Sequence, residues 1–579
     1  MTVPSDDTLP AEEPNSAVAL QAETAPRALA QPGARRWLLP AAVAAVLVVA
    51  LWLRVYGVTF GLPNLYYWDE PTVVNRAMRF GTGDLNPHDF YYPALYMYVL
   101  FAASGVYFVA GRLLGTFHGA QEFALRFFVD PTGVYLTARI TTALVGTCAV
   151  LIAYLVGKRY LGKTQGLVGA ALLAVSPLHA SYSHIAVTDI AHAALIALAL
   201  LPLHDVLSRG RYRDYALAGL LIGLGTATKY LAGLQVGALV VAHWLGAHGP
   251  GADWRRPAAH LQAAMSRRLA LGLLLVVAGF FVGSPYNFIS AGEFIRDFRT
   301  QSVLSRGDGS TNWILLHTLP ADLGWPALLL AIAGLAALLW RPSRSTLVLL
   351  VFPALYSLAM LRMSRSWSRY LLPSSTLVVL CAGQGWVMLQ ALAERWLRPR
   401  LGLVVASAIL AASLLLPAST TLAWDSIHAI ADSRDLALRW TEENVPTGTH
   451  VVLQSLFDRT FDNVPLVTDG TLARLDRIVP TGGSLGKVRG RVLQAWRTRP
   501  VYPDMGWEHD PADFARDDVK YVFLTDAYGP PPAPLQRWLD ARGQIAARFT
   551  PEIPGALARS GGGYFPVLPP AITIYRMAP

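Results

Sequence analysis

Asp69 and Glu70 stand side by side in the stretch YYWDEPTVVNRAMRFGTGDLNPHDFYYPALYMY, residues 66–98, with Trp68 before them and Tyr91 and Tyr92 after. A carboxylate among aromatic side chains can take a proton from an attacking hydroxyl, and a positioned base of this kind is worth about 10²–10⁴ in rate. His88 and Asp89 add a second polar pair to the same stretch. Further along, SPLHASYSHIAVTD (176–189) carries His184 and Asp189, and GLGTATKYLAGL (223–234) carries Lys229. LRMSRSWSRYLLP (361–373) carries Arg362, Arg365, Arg369 and Tyr370. Such cations hold a phosphate by charge-assisted hydrogen bonds as negative charge grows on it. An acid, several cations and aromatic faces together suit the transfer of a sugar away from a phosphate. The phosphate departs readily, so the second carboxylate that glycoside hydrolysis needs is not required.

Each of these residues also has a plain structural use. Asp69 and Glu70 can open a helix with Pro71 in its first turn. Asp189 can cap the helix that starts near Ile190. Lys229 can snorkel to a membrane interface, histidines are common polar residues there, and a cluster of arginines can meet lipid headgroups.

The elements that would position them are set by hydropathy. The chain has 579 residues, 53% of them hydrophobic and 15% charged, against about a quarter charged in soluble domains. Apolar runs alternate with short basic clusters, the pattern of helices that cross a hydrocarbon core of about 30 Å. Spanning helices are expected at 37–57, 136–157, 165–180, 190–207, 214–229, 231–247, 269–287, 322–340, 346–363, 371–392 and 401–420. The net charge of +10 follows from arginines in the short loops and points to membrane topology, not to nucleic acid. Cys148 and Cys381 lie in apolar runs and offer neither a disulfide framework nor a metal site.

Five basic loops, at 158–163, 208–214, 254–268, 341–344 and 394–400, fall on one side if the N-terminus is cytoplasmic. The candidate residues then gather on the opposite, extracytoplasmic side, and Arg362, Arg365 and Arg369 become a basic cluster that breaks the charge rule. This parity holds only if 93–115, apolar enough to span, lies at the interface or re-enters as a hairpin; twelve simple spans, with 93–115 crossing once, is the alternative. The expected organisation is a disordered tail at 1–36, a membrane domain at 37–423 and an external α/β domain at 424–579. The first external loop of the membrane domain covers 58–135. In the last domain HVVLQSL, VKYVFLTDAY and AITIYRM read as strands and DSRDLALRWTEENV as a helix.

WDE (68–70), YYPALY (91–96), SPLHASYSHIAVTD (176–189), GLGTATKYLAGL (223–234) and SRYLLP (368–373), in that order, resemble the GT-C superfamily of polyprenyl-phosphate-sugar glycosyltransferases. Within it the chain is similar to family 39, with the protein O-mannosyltransferases and lipid A aminoarabinose transferases as relatives. The resemblance covers about 37–400. It implies an α-helical polytopic fold of about eleven spans, up to thirteen, with juxtamembrane helices in the first external loop. It also implies an inverting transferase in a bacterial-type inner membrane, with a polyprenyl-phosphate sugar as donor and a protein, lipid or glycan hydroxyl as acceptor. Asp69 then takes the place of the catalytic base and Glu70 of its neighbouring acid. Lys229, Arg365, Arg369 and Tyr370 become donor-phosphate contacts. Trp68, His88, Asp89, Tyr91, Tyr92, His184 and Asp189 become substrate contacts. The chain has Tyr92 where the aminoarabinose transferases carry a lysine, which moves the phosphate contact towards Lys229 and Arg369. No metal ligands and no further cofactor are assigned. A transporter of a lipid-linked or anionic solute is the alternative, and it would place its charges at mid-membrane between broken helices.

Overall fold

The computed structural model describes residues 34–248, 264–304, 313–363, 367–454, 461–479, 483–507, 513–514, 517–559 and 566–578. The expected tail and most of the 254–268 loop lie outside these residues. Contacts divide the chain into two units, Met1–Ala45 and Val46–Pro579.

Each of the eleven expected spans contains helix, although 165–180 breaks at Ser176, 231–247 opens with the 3₁₀ turn Tyr230–Gln235 and 269–287 breaks after Gly283. Among the described residues, eight helical stretches are long and apolar enough to cross a membrane, and Lys163–Val175 and Arg344–Met360 are apolar but shorter. The protein is a multi-pass membrane protein. Helices suit that solvent because they satisfy every backbone polar group internally. Small residues let them approach closely: a Cβ on Gly334 would lie 1.9 Å from the carbonyl oxygen of Cys381. That contact joins the helices Trp313–Trp340 and Leu372–Trp396. A second packed layer sets Ala218 and Ile222 against Ala238 and Leu239, with Val348 and Leu349 beside them.

The first loop forms α2 (Asp69–Arg79), α3 (Leu95–Leu113) and α4 (Ala120–Val129), following α1 (Ala34–Val55). Residues 95–113 make one continuous helix, itself one of the eight long and apolar enough to cross a membrane, which corrects the hairpin alternative. Its position follows from α5 (Thr132–Tyr160). Tyr96 bonds Thr142 at 2.6 Å, and a Cβ on Gly133 would meet the Tyr107 hydroxyl at 2.2 Å. The helix therefore runs antiparallel beside the first turns of α5 only.

The next elements are α6 (Lys163–Val175), α7 (Pro177–Ser183), α8 (Thr188–Ser208) and α9 (Tyr212–Thr226). The last apolar helix, Pro399–His428, runs past the expected domain boundary at 424, and Trp424 and His428 bond the carbonyls of Pro566 and Val567. Beyond it, helix Ser433–Asn444 packs Ala437 against a four-stranded sheet. The strands, taken in chain order, are β1 (Val451–Leu453), β2 (Val467–Thr468), β3 (Val501–Tyr502), β4 (Tyr521–Thr525), β5 (Gly543–Phe549) and β6 (Ile572–Met577). The sheet order is β1-β4-β6-β5, with β1 parallel to β4 and the other pairs antiparallel; β2 and β3 form a separate parallel pair. The three strands read from the sequence are β1, β4 and β6. β5 was not read from it, and its largely exposed run GQIAARF carries no clear alternation of apolar and polar residues.

Candidate active site

Asp69 is the first residue of α2 and, with Glu70, lies in its first turn; the N-cap is Trp68, which makes no side-chain cap bond. Arg369 sits in the 3₁₀ turn Ser368–Leu371, which leads into helix Leu372–Trp396. Asp189 is in the first turn of α8, whose N-cap position is Val187. Lys229 lies in extended backbone after α9, ahead of the 3₁₀ turn Tyr230–Gln235. These helix ends bring two acids and two cations together. Asp69 pairs with Arg369, whose Nη1 also donates to Tyr67 Oη at 2.9 Å. Lys229 Nζ donates to Asp189 Oδ1 at 2.7 Å. The Lys229 ammonium faces the rings of Tyr92 and Tyr370 at 5.8 and 5.6 Å, which joins the two pairs through aromatic faces.

The two acids of the WDE stretch have opposite fates. The Asp69 side chain is 31% exposed. The Glu70 side chain is fully buried and chelates Arg139, with Nε to Oε1 at 2.8 Å and Nη2 to Oε2 at 2.7 Å. The Ala186 amide donates to the same carboxylate at 3.0 Å. Arg139 also donates to the carbonyls of Val58 and Phe60 and lies 4.2 Å over the Phe60 ring. This knot ties α2, α5, the loop after the first span and the turn before α8. Glu70, expected beside the base as a second catalytic acid, is here the fully buried ion-pair partner of Arg139.

Within the cluster, Arg369 is nearly buried, and its Nε–H finds no acceptor among the described residues. Burial, and then the Asp69 carboxylate, hold the Tyr92 phenol well above its ordinary pKa. Burial and Tyr182 do the same for Tyr67 against the opposing effect of Arg369. Both phenols stay protonated and can act as donors. Among the described residues no group of three His, Cys, Asp or Glu side chains is placed to hold a metal ion.

Several expected substrate contacts lie elsewhere. His184 is buried, with its ring nitrogens on the carbonyls of Ala180 and Tyr56 and its edge towards Trp424. Asp89 is tied to Arg76 and to the Tyr91 amide. His88 is exposed between Asp84 and Glu293, at 2.8 and 3.4 Å. Tyr91 is exposed. Trp68 stacks on Phe461 of the C-terminal domain at 6.1 Å. Arg365 lies outside the described residues. Tyr67 and Arg139 were missed. An arginine inside an apolar run is the signal that could have found Arg139, because such a residue needs a partner.

Residues 123–278 match the model of the family described as dolichyl-phosphate-mannose-protein mannosyltransferase. No curated protein matches the chain. Among solved structures it is similar to ArnT from Cupriavidus metallidurans bound to undecaprenyl phosphate, with 14% identity, 93% of this chain and 98% of that one covered, and a TM-score of 0.49. The apo oligosaccharyltransferase of Archaeoglobus fulgidus shares 12% identity over 85% of this chain and 70% of its own, with a TM-score of 0.48. The protein O-mannosyltransferase Pmt1-Pmt2 complex of S. cerevisiae bound to the sugar donor shares 18% over 44% and 34%, with a TM-score of 0.32. The family-model match contains the motifs at 176–189 and 223–234, and with them Asp189 and Lys229, and it bears out the resemblance of this chain to the GT-C superfamily of glycosyltransferases.

Proposed function

We propose that the protein transfers a sugar from a polyprenyl-phosphate donor to an acceptor hydroxyl on the extracytoplasmic face, with Asp69 as general base. The observation that carries this reading is the contrast within the acid pair: Asp69 is open and next to a buried arginine, whereas Glu70 is sealed. The proton of the acceptor O–H passes to Asp69 as its oxygen bonds the anomeric carbon. The bond from that carbon to the phosphate oxygen breaks, and its electron pair stays with the phosphate.

The charges of the cluster support this sequence of events. Two carboxylates balance two cations while the site is at rest. Once Asp69 is protonated it no longer neutralises Arg369, so the guanidinium is released towards the phosphate at the moment that group gains charge. Its Nε–H, without a partner among the described residues, is a ready donor. Lys229 and Tyr370 are the second phosphate contact, and Tyr67, Tyr92 and Asp189 face the sugar. The acceptor is a protein, lipid or glycan hydroxyl.

The reading is tested by incubating the purified protein with polyprenyl-phosphate hexoses or pentoses and an envelope extract, and looking for sugar-modified products by mass spectrometry. Arg369→Ala and Lys229→Ala should each weaken binding of undecaprenyl phosphate roughly 10- to 100-fold, from a charge-assisted contact worth about 1.5–3 kcal/mol. Arg369→Lys should recover only part of this, because the ammonium lacks the guanidinium fork. Unchanged affinity in both alanine variants would leave these residues as ion-pair partners only.

The proposed orientation has its own check. A periplasm-active reporter fused after His428 should be active, and the same reporter within 254–268 should be silent. Activity at both positions would overturn the loop-charge parity.

A further inference from the structure

Residues 64–69 alternate in what they touch. Asn64, Tyr66 and Trp68 reach the C-terminal domain, while Tyr67 and Asp69 reach Arg369. Asn64 Nδ2 donates to Asp435 Oδ1 at 2.8 Å, and the Tyr66 hydroxyl donates to the same oxygen. The Arg434 guanidinium lies 3.6 Å over the Tyr66 ring. Arg434 is itself held by both Asp432 oxygens and by the Phe461 carbonyl. Arg434 and Asp435 open the helix Ser433–Asn444, whose Ser433 hydroxyl and Ala437 bind it to the C-terminal domain.

The segment they hold is strained. Leu65 has φ of 61°, a left-handed conformation that is unfavourable for a residue with a side chain. Gly61 has the same φ, and a Cβ there would lie 2.5 Å from the Tyr66 ring. Strained backbone persists where its surroundings over-determine it. Here the surroundings on one side are Asp435 and Arg434, which hold Tyr66, three residues before the carboxylate that faces Arg369.

We infer that the C-terminal domain positions the catalytic carboxylate: Asp435, with Arg434, clamps Asn64 and Tyr66 and thereby sets Asp69 against Arg369. Asp435 is a positioning residue and touches no substrate. The inference rests on the transfer reading for its kinetic part, and the clamp itself has a substrate-free readout.

The test uses the full-length protein in detergent or nanodiscs. Asp435→Ala should speed amide hydrogen exchange across 62–70 with no substrate present. It should also lower kcat about 10- to 100-fold, the effect of a misplacement of about 1 Å, while undecaprenyl phosphate affinity and donor KM stay within about twofold of wild type. Asp435→Asn keeps an acceptor oxygen and should restore most of kcat and of the protection. Tyr66→Phe keeps the ring under Arg434 and should fall between the two. Unchanged exchange across 62–70 in Asp435→Ala overturns the clamp. A loss of kcat that Asp435→Asn does not rescue, or that comes with an equal loss of lipid-phosphate binding, overturns the positioning role. A wild-type protein inactive with every polyprenyl-phosphate sugar would count against the transfer reading alone, and the exchange comparison would still decide the clamp.

Discussion

Asp69→Asn should lose transfer by at least the roughly 10²–10⁴ of a positioned base, with folding unchanged. The substitution keeps the size of the side chain and a hydrogen-bonding oxygen, and it removes the proton acceptor. Stability should hold because Asp69 is not the N-cap of α2, a place taken by Trp68, and asparagine suits a helix start about as well as aspartate. The partially exposed ion pair with Arg369 contributes only modestly. The geometry also gives a sign that a merely structural role would not. Asp69 is a counter-charge of Arg369, so neutralising it should leave affinity for undecaprenyl phosphate unchanged or tighter while transfer disappears. The measurements are transfer rate, lipid-phosphate affinity and Tm in one detergent. Activity within a few-fold of wild type removes Asp69 as the base. Loss of transfer together with loss of lipid binding makes it a binding residue instead.

The membrane helices were legible because hydropathy is a property of long windows, and each of the eleven expected segments contains helix. The candidate acids and cations were legible as types: Asp69, Asp189, Lys229 and Arg369 do meet at helix ends. What the residue types alone could not show was that Glu70 is sealed in the core while Asp69 stays partly open. Adjacent helical residues point about 100° apart, so one of two neighbouring acids can face a cleft while the other enters the core. Which one does so depends on Arg139, 69 residues further along. The interior place of His184 was hidden for a related reason. The residue looked like an interfacial polar group, and packing against Trp424 and two carbonyls made it part of the interior. The contacts of Tyr66 with Arg434 and Asp435 had no sequence signal at all, because they join segments about 370 residues apart through a domain that none of the quoted motifs reaches.

Glu70→Ala should be the most destabilising change in the candidate region, and for a reason separate from catalysis. It leaves Arg139 fully buried with only the carbonyls of Val58 and Phe60 as partners, and it strips the Ala186 amide of its acceptor. Removing one member of a buried ion pair typically costs about 3–5 kcal/mol, because the remaining charge stays desolvated. Glu70→Gln keeps one acceptor oxygen and should lie between Glu70→Ala and wild type. The informative comparison is the double variant Glu70→Met with Arg139→Met. An apolar pair of similar volume needs no desolvation of charge, so it should regain much of the Tm lost in Glu70→Ala even though two side chains have changed. Transfer per folded molecule should then recover in step with Tm, since the knot acts by holding α2 in place and takes no part in moving the proton. Glu70→Ala with a wild-type Tm, normal lipid-phosphate affinity and no transfer would reverse the two roles: Glu70 would be the base, and the exposed Asp69 would serve only to balance Arg369.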